Sequence, residues 1–159
     1  MYYRDILLPL HERIVNEAQL QYNAMQLGPV QLLRARERQI ETAVSYVETL
    51  REYCLSKVAA IENTPFGEDV LVFKVAGKIF ALAPLDEVPP TANLKCDPDL
   101  ALELRDRYEQ VRPGYHMNKK HWNTVELDSG IPDTELRRMI DHSYELVVKS
   151  LPKTARAKL

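Results

Sequence analysis

The chain has 159 residues, of which 45% are hydrophobic and 28% charged, enough apolar material for one compact domain plus an appendage. Disorder needs fewer apolar residues than this. An avid nucleic-acid binder needs a basic excess, yet the net charge is −2, with five basic and five acidic residues before Val47 and 16 and 18 from there on. Any contact with nucleic acid must come from a local basic patch on a near-neutral body.

No apolar run reaches the roughly 18–20 residues that span a bilayer, and Met1-Tyr2-Tyr3-Arg4-Asp5 does not open a secretory signal. Cys54 and Cys96 match no metal or redox spacing. The expectation is a soluble cytoplasmic protein with reduced thiols and no membrane partner.

Residues 2–27 carry Ile6, Leu7, Leu10, Ile14, Val15, Ala18 and Met25 near helical spacing, with Pro9 at the start or at a kink. Gly28-Pro29 ends that helix and begins another, predicted to reach about Ala60. Its stripe of Val30, Leu33, Ile40, Val44, Val47 and Cys54, interrupted by Glu37 and Arg51, predicts a packing seam in an antiparallel helical hairpin.

Three stretches here, Tyr22-Asn23-Ala24-Met25-Gln26-Leu27-Gly28, Gln31-Leu32-Leu33-Arg34-Ala35-Arg36 and Tyr46-Val47-Glu48-Thr49-Leu50-Arg51-Glu52-Tyr53, resemble the last helical segments of TolC-like outer-membrane efflux channels. The resemblance covers roughly residues 2–56 and includes no barrel strands, so it implies helical shape and no transport. It makes residues 1–46 an efflux-protein-like fragment fused to a second unit over 47–159. Side-by-side packing of such hairpins implies self-association as a homo-oligomer.

The second unit begins inside the long helix, and residues 63–67 break it. Residues 70–75 and 78–83 are strand patterns joined by the two-residue turn Ala76-Gly77. In that register Leu71, Phe73 and Val75 are expected to share the core face with Phe80 and Leu82. Residues 91–95 make a third strand, and Asp97-Pro98 starts a helix running to about Glu109, with Leu100, Ala101, Leu104 and Tyr108 inward.

A hairpin over 113–127 follows, turning at residues 118–121. Tyr115 and Met117 are expected to point one way, His116 and Asn118 the other. Asp133 is expected to cap a last helix with the stripe Leu136, Met139, Ile140, Ser143, Val147 and Leu151, before a frayed basic tail of Lys153, Arg156 and Lys158. The order α-β-β-β-α-β-β-α predicts an antiparallel sheet backed by helices, an α+β fold.

Pro65-Phe66-Gly67, Val72-Phe73-Lys74, Gly77-Lys78, Asn93-Leu94-Lys95-Cys96-Asp97-Pro98, Arg112-Pro113-Gly114-Tyr115-His116-Met117-Asn118-Lys119-Lys120-His121-Trp122-Asn123 and Asp141-His142-Ser143-Tyr144 together resemble the MmcQ/YjbR family. That resemblance implies a CyaY-like (frataxin-like) α+β sandwich and a double-wing DNA-binding motif made of two β-hairpins. The wings then lie around Ala76-Gly77 and Lys119-Lys120. Lys74, Lys78 and Lys95 fall near the first, and Arg112, Lys119, Lys120 and His121 near the second. Asn118 and Asn123 supply hydrogen bonds to a base edge or phosphate, and Trp122 a stacking ring.

Plainer roles compete. Paired lysines at a turn commonly discourage edge pairing, and a strand tryptophan commonly packs. His116, His121 and Cys96 fit no zinc spacing. Neighbours in Asp141-His142-Ser143 diverge by about 100° on a helix and cannot form a triad, so Ser143 and Tyr144 are expected to cap or to bond helix to sheet. A small pocket near His116, Trp122 and Tyr144 is the weakest reading. The expectation is non-enzymatic binding of DNA, with no cofactor and no metal. The alternative is a protein–protein adaptor or self-associating domain.

Overall fold

The computed structural model describes residues 28–115 and 117–159. The helix expected over 2–27, and the placement of His116, lie outside the described residues. So does the first limb of the efflux-like hairpin. The stretch expected as its second limb is α1 (Pro29–Leu55), a single helix that runs through position 47 without a break.

Gly28 opens α1 with its carbonyl, which accepts from Gln31 N at 3.0 Å and Leu32 N at 3.2 Å, and Pro29 follows where no N–H is needed. Val47, Leu50 and Cys54 reach the main core. The helix stops five residues before Ala60. Ala59 takes a positive φ of 53°, which reverses the chain, and Ala60 enters a strand instead.

That strand, β1 (Ala60–Asn63), was not foreseen. Four residues are too few for a clear period, and Glu62 looks out of place on a core-facing position. The reason is visible across the sheet edge, where Arg51 on α1 makes a two-pronged ion pair with the Glu62 carboxylate, at 2.6 and 2.5 Å.

The remaining elements are β2 (Val70–Val75), β3 (Lys78–Pro84), β4 (Thr91–Lys95), α2 (Pro98–Arg107), β5 (Val111–Pro113), β6 (Trp122–Glu126), α3 (Asp133–Lys149) and α4 (Lys153–Arg156). The six strands form one antiparallel sheet in the order β1-β2-β3-β4-β6-β5. The α+β class is therefore the one expected. Ala76 and Gly77, with φ of 47° and 78°, make the tight β2–β3 turn whose twist suits a hairpin.

One expectation about this hairpin fails. The register shifts between Phe73 and Lys74, so Phe73 faces Ala81 and Val72 faces Leu82, with Phe80 as the extra residue. Such a bulge lets Phe80 and Ala81 both join the core, and it turns Leu82 to the opposite face with Val72. Both faces of this hairpin bury apolar side chains, which is why alternation alone misplaced Leu82.

α2 starts as expected, with Asp97 accepting from Asp99 N at 3.0 Å, and ends at Arg107. α3 differs at both ends. Pro132 occupies the cap position, and Asp133 sits in the first turn, where its charge suits the helix dipole without a capping bond. The basic tail forms the turn of α4 rather than fraying, with Arg156 donating to the Leu151 carbonyl at 3.3 Å.

α3 covers the core face of β3 and β4 with Met139, Ile140, Ser143 and Val147. Ser143 makes the expected helix-to-sheet bond twice over. Its hydroxyl donates to the Phe80 carbonyl at 2.5 Å and accepts from Lys95 N at 2.8 Å, while Ala81 and Leu94 form the neighbouring rung. Ser143→Ala strands both backbone groups in a buried site and should cost about 2–4 kcal/mol in urea unfolding. A loss below about 0.5 kcal/mol would mean that the gap closes or hydrates without the hydroxyl.

Candidate nucleic-acid interface

Strand β6 divides the molecule's chemistry between two faces. Asn123 and Val125 face the helices, opposite Leu94 and Ala92. Trp122, Thr124 and Glu126 face the other way, opposite Lys95, Asn93 and Thr91. On this second face the Lys95 ammonium lies 5.7 Å from the centre of the Trp122 ring. Thr124 donates to Asn93 Oδ1 at 2.7 Å, and Arg112 sits 3.7 Å from the Glu126 carboxylate. Lys74 projects from the same face on β2, beside Ile61 and Ile79.

The second hairpin is shorter than expected. β5 ends at Pro113 and β6 begins at Trp122, so the described residues between them, 114–115 and 117–121, lie outside the strands. Tyr115 and Met117 therefore do not alternate with their neighbours along a ladder. Gly114 starts the connection because a Cβ there would meet the Trp122 Cβ at 2.9 Å, while Gly114 N donates to the Trp122 carbonyl at 2.8 Å. Asn118 accepts from Lys120 N at 3.0 Å through its side chain and from His121 N at 2.9 Å through its carbonyl, closing a tight turn.

Arg105, from the last turns of α2, anchors this connection. Its Nε donates to Asn123 Oδ1 at 2.8 Å, and its Nη2 donates to the carbonyls of Lys119 at 2.5 Å and Trp122 at 3.3 Å. Cys96 N adds a bond to the His121 carbonyl at 2.8 Å. The base of the tip is fixed, while Lys119, Lys120 and His121 stay exposed.

Sequence reasoning passed over Arg105, since a charge next to inward-facing Leu104 reads as solvated. Its partner Asn123 gave no signal either, because an asparagine reads equally well on a solvated strand face. That residue is also a correction: at 2% exposure on the core side, Asn123 is out of reach of DNA.

The β2–β3 hairpin is partly engaged. Lys78 Nζ donates to the Ser150 carbonyl at 3.0 Å and to its hydroxyl at 3.1 Å, completing the end of α3. The antiparallel register puts the Ala76-Gly77 turn and the 114–121 tip at the same end of the sheet, on either side of the end of β4. Lys74, Lys95, Lys119, Lys120, His121 and Trp122 lie toward that end, and Arg112 lies farther along the face that carries Trp122.

Asp141, His142 and Ser143 serve three separate elements. Asp141 accepts from Tyr53 Oη at 2.9 Å and pairs with Lys57, and the His142 Nε2 accepts from Asp97 N at 3.2 Å. Tyr144 donates to the Val58 carbonyl at 2.8 Å. Among the described residues no group of three His, Cys, Asp or Glu side chains lies where it would hold a metal, and no helix is long and apolar enough to cross a membrane. Burial pushes the Cys96 thiol up to about 11 and the Cys54 thiol up to about 12.

A family model described as YjbR matches residues 55–146. The uncharacterized protein YjbR of Escherichia coli (strain K12) is 35% identical over 113 residues, covering 71% of this chain and 96% of that protein. The uncharacterized protein YbdF of Escherichia coli O157:H7 is 45% identical over 89 residues, covering 56% of this chain and 73% of its own. The crystal structure of Deinococcus radiodurans protein DR2400 superposes with a TM-score of 0.67 at 37% identity, over 70% of this chain and 86% of that one.

Two outcomes follow from the geometry. Both thiols ionise less readily folded than unfolded, so the folded state holds more protons above their ordinary value of 9.0. Stability should be flat through neutral pH and fall as pH rises past about 9. Urea midpoints across alkaline pH for wild type and a double Cys→Ala variant check this, and an equal fall in both would remove the thiols as the cause. Arg105→Ala should raise amide exchange at Gly114 and His121 while leaving β2 and β3 protected. Unchanged exchange at the tip would show that the backbone bonds alone hold it.

Proposed function

The chain belongs to the YjbR family, and on that premise we propose that it is a non-enzymatic, cytoplasmic DNA-binding protein of low sequence specificity. The reading is carried by the placement of half-buried Lys95 against Trp122 on the sheet face opposite Asn123, next to the exposed tip bearing Lys119 and Lys120. A phosphate backbone crossing the sheet end meets the tip ammonium groups without burying them, and the Trp122 ring offers a plane for an unpaired base.

The wings contribute unequally. The second supplies Lys119, Lys120, His121 and the Asn118 amide nitrogen, and Lys95 and Lys74 extend the contact toward the first. Lys78 must leave the end of α3 to join it, and Arg112 works against its neighbour Glu126. Few base-edge donors remain once Asn123 is set aside, so affinity should depend on salt far more than on sequence. A second reading, association with a protein through α1, rests on Val30 and Leu33, which are 59% and 41% exposed. Apolar association of that kind is insensitive to salt.

Anisotropy titrations of labelled duplex and single-stranded DNA across a salt series test this. Binding should weaken steeply with salt, and the Lys119→Ala/Lys120→Ala variant should lower the slope of log K against log salt by about 2. Fluorescence of Trp122, the one tryptophan in the sequence, should be quenched by single strands. No binding at low salt, or a double variant that binds like wild type, sinks the proposal.

A further inference from the structure

Residues 147–159 follow the matched residues 55–146 and carry one sign of charge. They hold Lys149, Lys153, Arg156 and Lys158 and no acidic residue, whereas the 146 residues before them hold 17 basic and 23 acidic ones. A segment of net charge +4 thus stands on a body of net charge −6.

The segment is built into the fold. Leu151 is buried, Leu159 packs against the main core, and Arg156 Nη2 donates to the Leu151 carbonyl at 3.3 Å. The Pro152 carbonyl accepts from Ala155 N and Arg156 N, each at 3.0 Å, and so closes α4. Lys153 and Lys158 are exposed and, among the described residues, have no carboxylate within ion-pair distance. Lys149 pairs with Glu145 at 3.4 Å on the surface, where such a pair is weak.

The register fixes where this charge sits. Lys78 Nζ donates to the Ser150 carbonyl and hydroxyl, which puts the start of the segment at the β2–β3 turn. Only β4 separates β3 from β6, two strand spacings or about 10 Å, and the 118–121 turn leads into β6 at that same end. One strand of a duplex carries a phosphate about every 3.4 Å along its axis, so a short stretch of it spans both supports. Asp97 and Asp99, at the start of α2 beyond the end of β4, stand between them and repel phosphate there. The two basic supports are therefore separate.

We propose that residues 147–159 are a second contact for the DNA phosphate backbone, made by Lys153 and Lys158. The inference rests on the DNA-binding reading and deepens it. At the β2–β3 end of the sheet the charge then comes from this segment, because the Lys78 ammonium is engaged in holding Ser150. Exposed ammonium groups on an ordered backbone meet phosphates without burying charge, and releasing the counterions of DNA drives the association.

Anisotropy titrations of a labelled duplex across a salt series compare four full-length proteins with the wild type. Lys153→Ala/Lys158→Ala should weaken binding at low salt and lower the slope of log K against log salt by about 2. Combined with Lys119→Ala/Lys120→Ala, the fall in slope should add, to about 4, since the two contacts are separate. Lys153→Arg/Lys158→Arg keeps the charge and should bind like the wild type. The fourth protein, Lys119→Ala/Lys120→Ala alone, separates the two ideas. If it binds more weakly while Lys153→Ala/Lys158→Ala matches the wild type, this contact is overturned and the DNA reading stands. A weakened Lys153→Ala/Lys158→Ala variant with an unchanged slope also overturns it, because the loss is then not electrostatic. No binding by the wild type at low salt removes both.

Discussion

The middle of the sheet is held by one hydroxyl. The bulge at Phe80 brings an extra residue into β3, and the rung that would continue the ladder beyond Ala81 and Leu94 is missing. Ser143 fills that gap from above, giving its proton to one strand and its lone pair to the other. An open rung in the interior would leave a carbonyl and an N–H unpaired, so the helix has to sit at the one height and rotation that closes it. The position of α3 follows from this, and with it the cover over the core face of β3 and β4.

Residues around Ser143 extend the same logic. Asp141 holds the end of α1 through Tyr53 and Lys57, His142 holds the start of α2 through the Asp97 amide, and Tyr144 holds the turn after α1. Four consecutive side chains spread about 100° apart around a helix can reach separate elements, and here they do. The Tyr144 ring also meets Phe80 edge-on, 5.4 Å between centres. What looks like a catalytic string is a set of struts.

Much of this was legible in the sequence. The β2–β3 turn, the strand over 91–95, the Asp97 cap and the stripe of α3 are all visible because local chemistry and global packing agree there. Legibility failed where a residue's role depended on something distant in the chain. β1 is held by Arg51 from another element, Leu82 is displaced by a bulge that leaves no composition mark, and the stretch before the 118–121 turn reads as strand until Gly114 is seen pressed against Trp122. For the candidate site, the exposed lysines and Trp122 could be read from their hairpin context. The inward turn of Asn123 could not, because Asn is as reasonable on a solvated strand face as on a satisfied buried one.

Arg105 ties the two faces of β6 together. Its guanidinium is a rigid planar fork, and its acceptors are the buried Asn123 side chain, the Trp122 carbonyl and the Lys119 carbonyl at the tip. Moving any one acceptor by a fraction of an ångström strains the bonds to the other two, since hydrogen bonds weaken steeply outside a narrow range of length and angle. The orientation of a buried carboxamide and the height of an exposed lysine pair are therefore set by the same group. A tip of eight residues between two short strands would otherwise sample many conformations. With its base fixed by Arg105 and the Cys96 amide, the lysines project from a defined support with their side chains exposed. That combination suits contact with a flexible polyanion, whose charges need to be met at an approximate height and not at fixed points.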